Sequence, residues 1–296
     1  MKELVVISGK GGTGKTSIVA AFAALAKNAV LADCDVDAAD LHLVLEPKVR
    51  QTNDFSGGKK AVIITEKCTG CGKCQDMCRF DAIHLNGPAN DMVDNTFTID
   101  PVSCEGCKVC VEFCPVGAIE FEDAINGQWF ISDTRFGPMV HAKLGIAEEN
   151  SGKLVTVIRK EAKKIAQEQK KHFLIVDGSP GIGCPVIASI TGADLVLVVT
   201  EPTLSGKHDL DRVRRLTANF GIETLVCVNK ADINPQITGQ ISKEAQQQGL
   251  KVIGKIPYDE AFTKAQIMKA TVIEYTGGWV SEEIKNLWRN VTYALG

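Results

Sequence analysis

The chain has 296 residues, 45% of them hydrophobic, and a formal net charge of −3. That length supplies a core of ordinary size, and the near-neutral charge removes any compositional reason to expect a nucleic-acid partner. No apolar run approaches the ~18 residues of a membrane span, so no membrane role is expected. The short apolar run before the first glycines also lacks the length and cleavage site of a secretory leader. The expected compartment is therefore the cytoplasm, where thiols stay reduced, and the eleven cysteines read as metal ligands rather than disulfides.

Residues 4–8 form an apolar run that predicts a strand, followed by the glycine-rich stretch GKGGTGKT at residues 9–16 and an alanine-rich segment of helical spacing at 15–27. This matches G-x-x-x-x-G-K-[ST] in its expected strand–loop–helix setting. Glycines at Gly9, Gly11, Gly12 and Gly14 let backbone N–H groups turn inward with those of Thr13 and Ser17. Lys15 would neutralise phosphate oxygens, and the Thr16 hydroxyl would ligate Mg²⁺. Further apolar runs follow at 30–33, 173–177, 195–200, 225–229 and 252–257, most of them separated by helix-length amphipathic segments. The alternation predicts an α/β fold, a mostly parallel sheet with helices on both faces.

That rhythm breaks between about residues 61 and 123, which predicts a small inserted α+β domain, with residues 1–60 and 124–296 forming the main one. The insert is acidic: residues 66–123 carry eleven Asp or Glu against four Lys or Arg. A helix predicted at 155–171 is basic, either a solvated face or a docking surface for an acidic module.

Lys10, directly after the first glycine, marks the deviant form of the phosphate loop, and here the chain resembles the MinD/Mrp group of P-loop ATPases, relatives of the nitrogenase iron protein. The resemblance implies a nucleotide-sandwich homodimer in which Lys10 reaches the partner's ATP. Asp33 and Asp35, in VLADCDVDAADLHL, fall where the family places a second acidic motif, with Asp35 orienting the attacking water. Two carboxylates at this spacing also suit helix capping. Asp177, closing FLIVDG, matches the Walker B aspartate, and residues 178–183 match a glycine-rich switch. NKAD at 229–232 has the form of a guanine-reading motif, whereas the related ATPases place Asn229, Pro257 and Tyr258 at adenine. ATP with Mg²⁺ is the expected nucleotide, GTP the alternative.

Cys68, Cys71, Cys74 and Cys78 follow C-x2-C-x2-C-x3-C, and Cys104, Cys107, Cys110 and Cys114 repeat it. The spacing resembles bacterial ferredoxins, in which the fourth cysteine of each run serves the other cluster. On that rule Cys68, Cys71, Cys74 and Cys114 hold one [4Fe–4S] cluster and Cys104, Cys107, Cys110 and Cys78 the second. Arg79 stands where proline usually follows the fourth cysteine, while Pro115 keeps that place in the second run. Of the remaining thiols, Cys227 and Cys184 are expected to pack, with a metal role for Cys184 as the alternative, and Cys34 to point away from its flanking carboxylates.

Two segments are less specific. Residues 129–153, with Arg135, His141, Glu148 and Glu149, suggest a loop that senses nucleotide or partner, with His141 a satisfied core or edge residue. Residues 278–295 place Val280, Ile284, Leu287, Trp288, Val291 and Leu295 on one helical stripe whose polar face lacks a basic excess, so packing on the domain is expected over membrane binding. The combined expectation is an ATP hydrolase whose nucleotide-dependent dimer rearrangement governs electron transfer from the clusters to a redox partner protein. The alternatives are an ATP-dependent assembly factor serving a metallocluster client, and a MinD-like positioning ATPase with structural clusters.

Overall fold

The computed structural model describes residues 1–145 and 151–296, so the sequence expectations for Glu148 and Glu149 lie outside the described residues. From the N-terminus the chain runs β1 (Lys2–Ser8), α1 (Lys15–Leu25), β2 (Ala29–Asp33), α2 (Leu41–Leu45) and β3 (Lys48–Ile63). Next come α3 (Lys73–Asp76), β4 (Ile83–Gly87), β5 (Thr96–Ile99), α4 (Val109–Phe113), β6 (Ile119–Thr134) and β7 (Gly137–Leu144). The remainder alternates: α5 (Ser151–Glu168), β8 (Phe173–Pro180), α6 (Cys184–Ile190), β9 (Leu195–Thr200), α7 (Leu204–Asn219), β10 (Thr224–Asn229), α8 (Pro235–Gln247) and β11 (Lys251–Ile256). Three helices close the chain, α9 (Ala261–Ile267), α10 (Val272–Tyr275) and α11 (Trp279–Leu295).

The chain divides into two compact units, one of residues 1–53, 129–143 and 151–296, the other of 54–128 with the segment beginning at Leu144. The second unit thus begins earlier and ends later than the 61–123 expected, because β3 and β6 run across the division. The large sheet has the order β11-β10-β9-β1-β8-β2-β7-β6-β3. Its pairs from β11 to β7 are parallel. All six residues of β9 and of β10 are buried, as strands covered on both faces require. Leu4 and Val6 of β1 share a core with α1, α10 and α11, while Val5 and Ile7, which alternate with them, are buried as well.

The expected C-terminal stripe is buried on this core. Val280, Ile284, Leu287, Val291 and Leu295 are each at most 4% exposed, and the Trp288 ring sits 5.0 Å from Phe22 and 5.5 Å from Phe173. Gly254 on β11 allows the approach: a Cβ there would lie 2.7 Å from Leu287 Cδ1. Burying each such aliphatic side chain contributes about 1.5–3 kcal/mol, enough to fix the helix on the sheet. Among the described residues no helix is long and apolar enough to cross a membrane.

The basic face of α5 is partly used internally. Arg159 Nε and Lys163 Nζ reach the buried Glu3 carboxylate at 3.0 and 3.2 Å, and Arg159 also donates to the Ala188 and Thr191 carbonyls.

Of the loop expected across 129–153, the described residues 129–144 are instead mostly strand and 151–153 begin α5. A tight turn at Arg135 and Phe136 joins β6 to β7, and β7 pairs in parallel with β2. Its consecutive residues Met139 and Val140, which face opposite sides of the sheet, are both fully buried, so pairing and burial on both faces favour strand over the Gly and Arg content that suggested a loop. Contacts between Arg50 and Asp133, Gln128 and Asp54, and Gly57 and Asn126 show β3 and β6 to be antiparallel, one number falling as the other rises. Arg135 clamps the turn: it pairs with Glu274, donates to the Val44 and Lys269 carbonyls and lies over the Phe136 ring.

The second unit holds the β4–β5 antiparallel pair and a small core that includes Cys68, Cys74, Cys110, Ile83, Phe97 and Ile119.

His141 is buried, with Nε2 2.9 Å from Ser132 Oγ and its ring stacked near Phe130. Burial above all, with His42 adding to it, pushes its imidazole down to about 4. The unfolded chain, whose histidine titrates near ~6.5, then binds the extra proton, so stability is complete above that value and is lost as pH falls toward the folded value. Urea unfolding at about pH 7.5 and about pH 5 is expected to show roughly 2 kcal/mol of loss from this group, absent in His141→Gln.

Candidate nucleotide site and the cysteine-lined cavities

The loop between β1 and α1 turns through Gly12 and Gly14, whose φ values of +79° and +85° are left-handed. At Gly14 a side chain is excluded twice over, since a Cβ would also lie 2.4 Å from Asn229 Nδ2. That amide donates to the Thr13 carbonyl at 2.8 Å, which ties the end of β10 to the loop.

A cavity of about 420 Å³ opens at the carboxyl ends of β1, β8, β10 and β11, the usual place for ligands in such sheets. Its walls include Gly11, Gly12, Thr13, Gly14, Lys15, Thr16 and Ser17, together with Asp35, Asn229, Pro257 and Tyr258. Gly9 and Lys10 do not line it. Gly9 instead allows close packing on α7, where a Cβ would meet Asp209 Cβ at 2.3 Å, and the Lys10 ammonium is held by Glu201. Pro180, within the expected switch, also lines it, whereas sequence patterns missed Ser8 at the end of β1 and Asp40, Asp259, Phe262, Thr263 and Gln266 from neighbouring turns and α9. Gln266 has no motif to reveal it; its amide donates to Ser17 Oγ at 3.0 Å. Lys230 was visible within NKAD, and it donates to the Gly12 carbonyl at 3.0 Å. Asp232, the residue that would read guanine, does not line the cavity and accepts the Tyr258 N–H at 2.6 Å.

At the cavity floor the buried Lys15 ammonium pairs with Asp177 Oδ1 and lies 3.3 Å from Asp35 Oδ2. Burial alone would pull Lys15 down, but Asp177 and Asp35 outweigh it and raise it above the ordinary lysine value. Asp33, paired in register with Asp177 across β2 and β8, is held well above the carboxylate range by burial and by Asp177. Asp35 is raised too, first by burial, with Lys15 opposing. Asp33 Oδ1 accepts the Asp35 N–H at 3.2 Å, so capping-type bonding is present as well. Three carboxylates face one ammonium, and Asp33 Oδ2 and Asp177 Oδ2 are buried without a hydrogen-bond partner. These unpartnered oxygens and the Thr16 hydroxyl are the groups here that a small hard cation such as Mg²⁺ would take, although the carboxylates do not converge on one point.

The cysteines line two further cavities in the second unit. Cys68, Cys71, Cys74 and Cys114 line one, with Phe97, Pro115 and Ile119. Cys78, Cys104, Cys107 and Cys110 line the other, with Met77, Phe80 and Ile83. Gly70, Gly72, Gly106 and Lys108 turn the cysteine loops through positive φ, and the Ala118 N–H points at Cys114 Sγ at 3.3 Å. Burial pushes the Cys74 thiol up to about 11. Among the described residues no three His, Cys, Asp or Glu side chains converge to hold a metal ion; each cysteine set lines a wall instead.

Of the other cysteines, Cys227 is buried in β10 and pushed up to about 12 by burial, as core packing predicts. Cys34 is also fully buried, its N–H donating to the Asp177 carbonyl at 2.8 Å, while burial and then Asp33 raise its thiol. Cys184 departs from expectation: it is exposed at the start of α6 rather than packed, because the helix begins there and its buried side is carried by Val186, Ser189 and Ile190.

The fold and loop define a P-loop nucleotide-binding protein. The chain belongs to the CobQ/CobB/MinD/ParA nucleotide-binding domain family, whose model matches residues 4–272. It is 32% identical to the uncharacterized protein MJ0578 of Methanocaldococcus jannaschii over 98% of this chain and 96% of that one. It is also 25% identical to the uncharacterized ATP-binding protein MJ0547 of the same organism, over 88% and 76% of the two chains. Among solved structures it is similar to the septum site-determining protein MinD complexed with Mg-ADP from Pyrococcus horikoshii, with a TM-score of 0.58 over 100% and 97% of the chains at 16% identity.

Gly14→Ala is expected to weaken nucleotide binding roughly tenfold or more, the scale of ~1–3 kcal/mol of backbone strain, before the Asn229 clash is added. Calorimetric titration against wild type measures this, with circular dichroism to show that the sheet is retained.

Proposed function

We propose that the chain is an ATP-hydrolysing nucleotide switch. The observation that carries this is the Lys15 ammonium, held by Asp35 and Asp177 at the floor of a glycine-loop cavity. Lys15 and the loop N–H groups bind the phosphates, and Asp35 orients a water for attack on the terminal phosphorus. The bond to that water's oxygen forms as the bond to the ADP oxygen breaks. Mg²⁺ held by Thr16, with the orphaned oxygens of Asp33 and Asp177 nearby, would neutralise charge on the phosphates. Adenine is favoured over guanine because Asp232 lies outside the cavity lining with one oxygen engaged by the Tyr258 N–H, and the ATP-binding name of the M. jannaschii relative agrees. Lys10 acts across a homodimer formed with nucleotide.

The second unit, in this reading, binds two [4Fe–4S] clusters, which would supply one-electron chemistry to a partner protein. Support comes from the two sets of four cysteines, each lining its own cavity with the crossed fourth ligand that the spacing predicts. The chain's own contribution there is to fix the cysteine loops through left-handed turns and to surround the thiols with apolar side chains.

A second reading, a positioning ATPase like MinD in which the second unit has no redox role, is favoured by likeness over the whole chain to a septum site-determining protein. Anaerobically purified protein is expected to carry about eight irons and eight sulfides per chain, falling to about half in Cys71→Ser with nucleotide binding unchanged. Nucleotide binding with no iron, even after reconstitution, would sink the redox reading and leave the positioning one. With clusters present, a reduction potential that shifts with a non-hydrolysable ATP analogue in wild type but not in Lys10→Ala supports coupling of switch and electrons. Iron passing to an apo-protein client would instead support the assembly alternative.

A further inference from the structure

We propose that Glu201 is a positioning residue that holds Lys10 in its resting place beside the phosphate loop, and that nucleotide-dependent pairing with a second copy of this chain must break this contact. The inference rests on the reading of Lys10 given above. Lys10 Nζ lies 2.6 Å from Glu201 Oε1, 2.9 Å from Ser205 Oγ and 3.3 Å from Thr203 Oγ1. An ammonium has three N–H donors, and this cage occupies all of them. Lys10 is thereby kept out of the cavity lining, with 31% of its side chain still exposed.

The cage is built at the start of α7. Thr203 is the cap of that helix, its Oγ1 accepting the Gly206 N–H at 2.9 Å, and Ser205 lies in the first turn. A helix N-terminus carries partial positive charge and by itself disfavours a cation, so the two hydroxyls alone make a poor seat for Lys10. Glu201 reverses the balance. Its backbone is tied to the helix start, because its carbonyl accepts the Thr203 N–H at 2.8 Å, and its second carboxylate oxygen takes Lys230 Nζ at 3.3 Å. Burial opposes its ionisation, but the hydrogen bonds from Lys10 and Lys230 prevail and hold the carboxyl below its usual range. One carboxylate thus restrains two lysines that flank the loop. Phosphate oxygens offer Lys10 the same kind of acceptor, so the strength of the Glu201 contact sets how readily Lys10 leaves.

The test compares wild type, Glu201→Gln, Glu201→Asp, Lys10→Ala and Lys10→Ala/Glu201→Gln. Brief acetylation, read lysine by lysine by mass spectrometry with the exposed Lys160 as internal reference, reports the Lys10 contact directly. Lys10 is expected to react about fivefold faster in Glu201→Gln, the scale of a partly exposed ion pair, and at nearly the wild-type rate in Glu201→Asp. Self-association with a non-hydrolysable ATP analogue, followed by sedimentation, is expected at lower protein concentration in Glu201→Gln, a gain that disappears in the double variant. Unchanged Lys10 labelling in Glu201→Gln overturns the proposal, as does faster labelling with no change in self-association where Lys10→Ala abolishes it. Self-association that persists in Lys10→Ala instead refutes the dimer role of Lys10, while the labelling still judges whether Glu201 holds it.

Discussion

The rest of the nucleotide site depends on a lysine taken out of water. Lys15 opens α1 and is nearly buried, a placement that would cost several kcal/mol for an unpaired ammonium. Asp177 reaches it from β8 and Asp35 from just after β2, so three separate pieces of chain must arrive together. Sheet register ensures this: β8 lies between β1 and β2, with Val6 opposite Asp177 and Asp177 opposite Asp33. Removing either carboxylate takes a partner from a buried ammonium in a low-dielectric corner, which ties the chemistry of the site to the alignment of its strands.

Charge balance also explains the layout around that corner. The carboxylates outnumber the ammonium, and two of their oxygens have no protein partner, a poor arrangement for an isolated fold and a suitable one for a site completed by a cation. At the outer edge of the loop the sign is reversed, with Glu201 placed between Lys10 and Lys230. Inner and outer rims of the same loop therefore carry opposite local imbalances, carboxylates around Lys15 within and lysines around Glu201 outside.

The second unit is built on another constraint. Its core is thin, and thiols occupy places that aliphatic side chains would fill in a self-sufficient domain. In the first unit the turn between β6 and β7 is held by Arg135 to Glu274 and the Lys269 carbonyl, and Lys269 also reaches Glu46, just before β3. Residues 269–274 thus anchor the near ends of both long strands, and they follow directly on α9, whose Phe262, Thr263 and Gln266 line the nucleotide cavity.

Much of this was legible in the sequence because it is encoded locally. The phosphate loop needs glycines at fixed places and a lysine at the start of a helix, the parallel strands read as continuous apolar runs, and the cysteine runs carry their own spacing. Asp177 could be placed on its strand for the same reason, although β8 runs on past it to Pro180, into the segment expected to be a switch. What the sequence left open depends on neighbours far apart in the chain. Residues 129–144 look like a loop until β2 supplies a partner for β7, and Cys184 looks packed until the start of α6 turns it outward. The contact of Asp232 with the Tyr258 backbone, 26 residues away, is likewise invisible in the sequence. Lys10 carries a recognisable signature, yet Glu201, which holds it, belongs to no motif. Spacing along the chain fixes which groups a local turn can present, whereas the pairing of charges is set by strand order, and strand order is a property of the folded sheet alone.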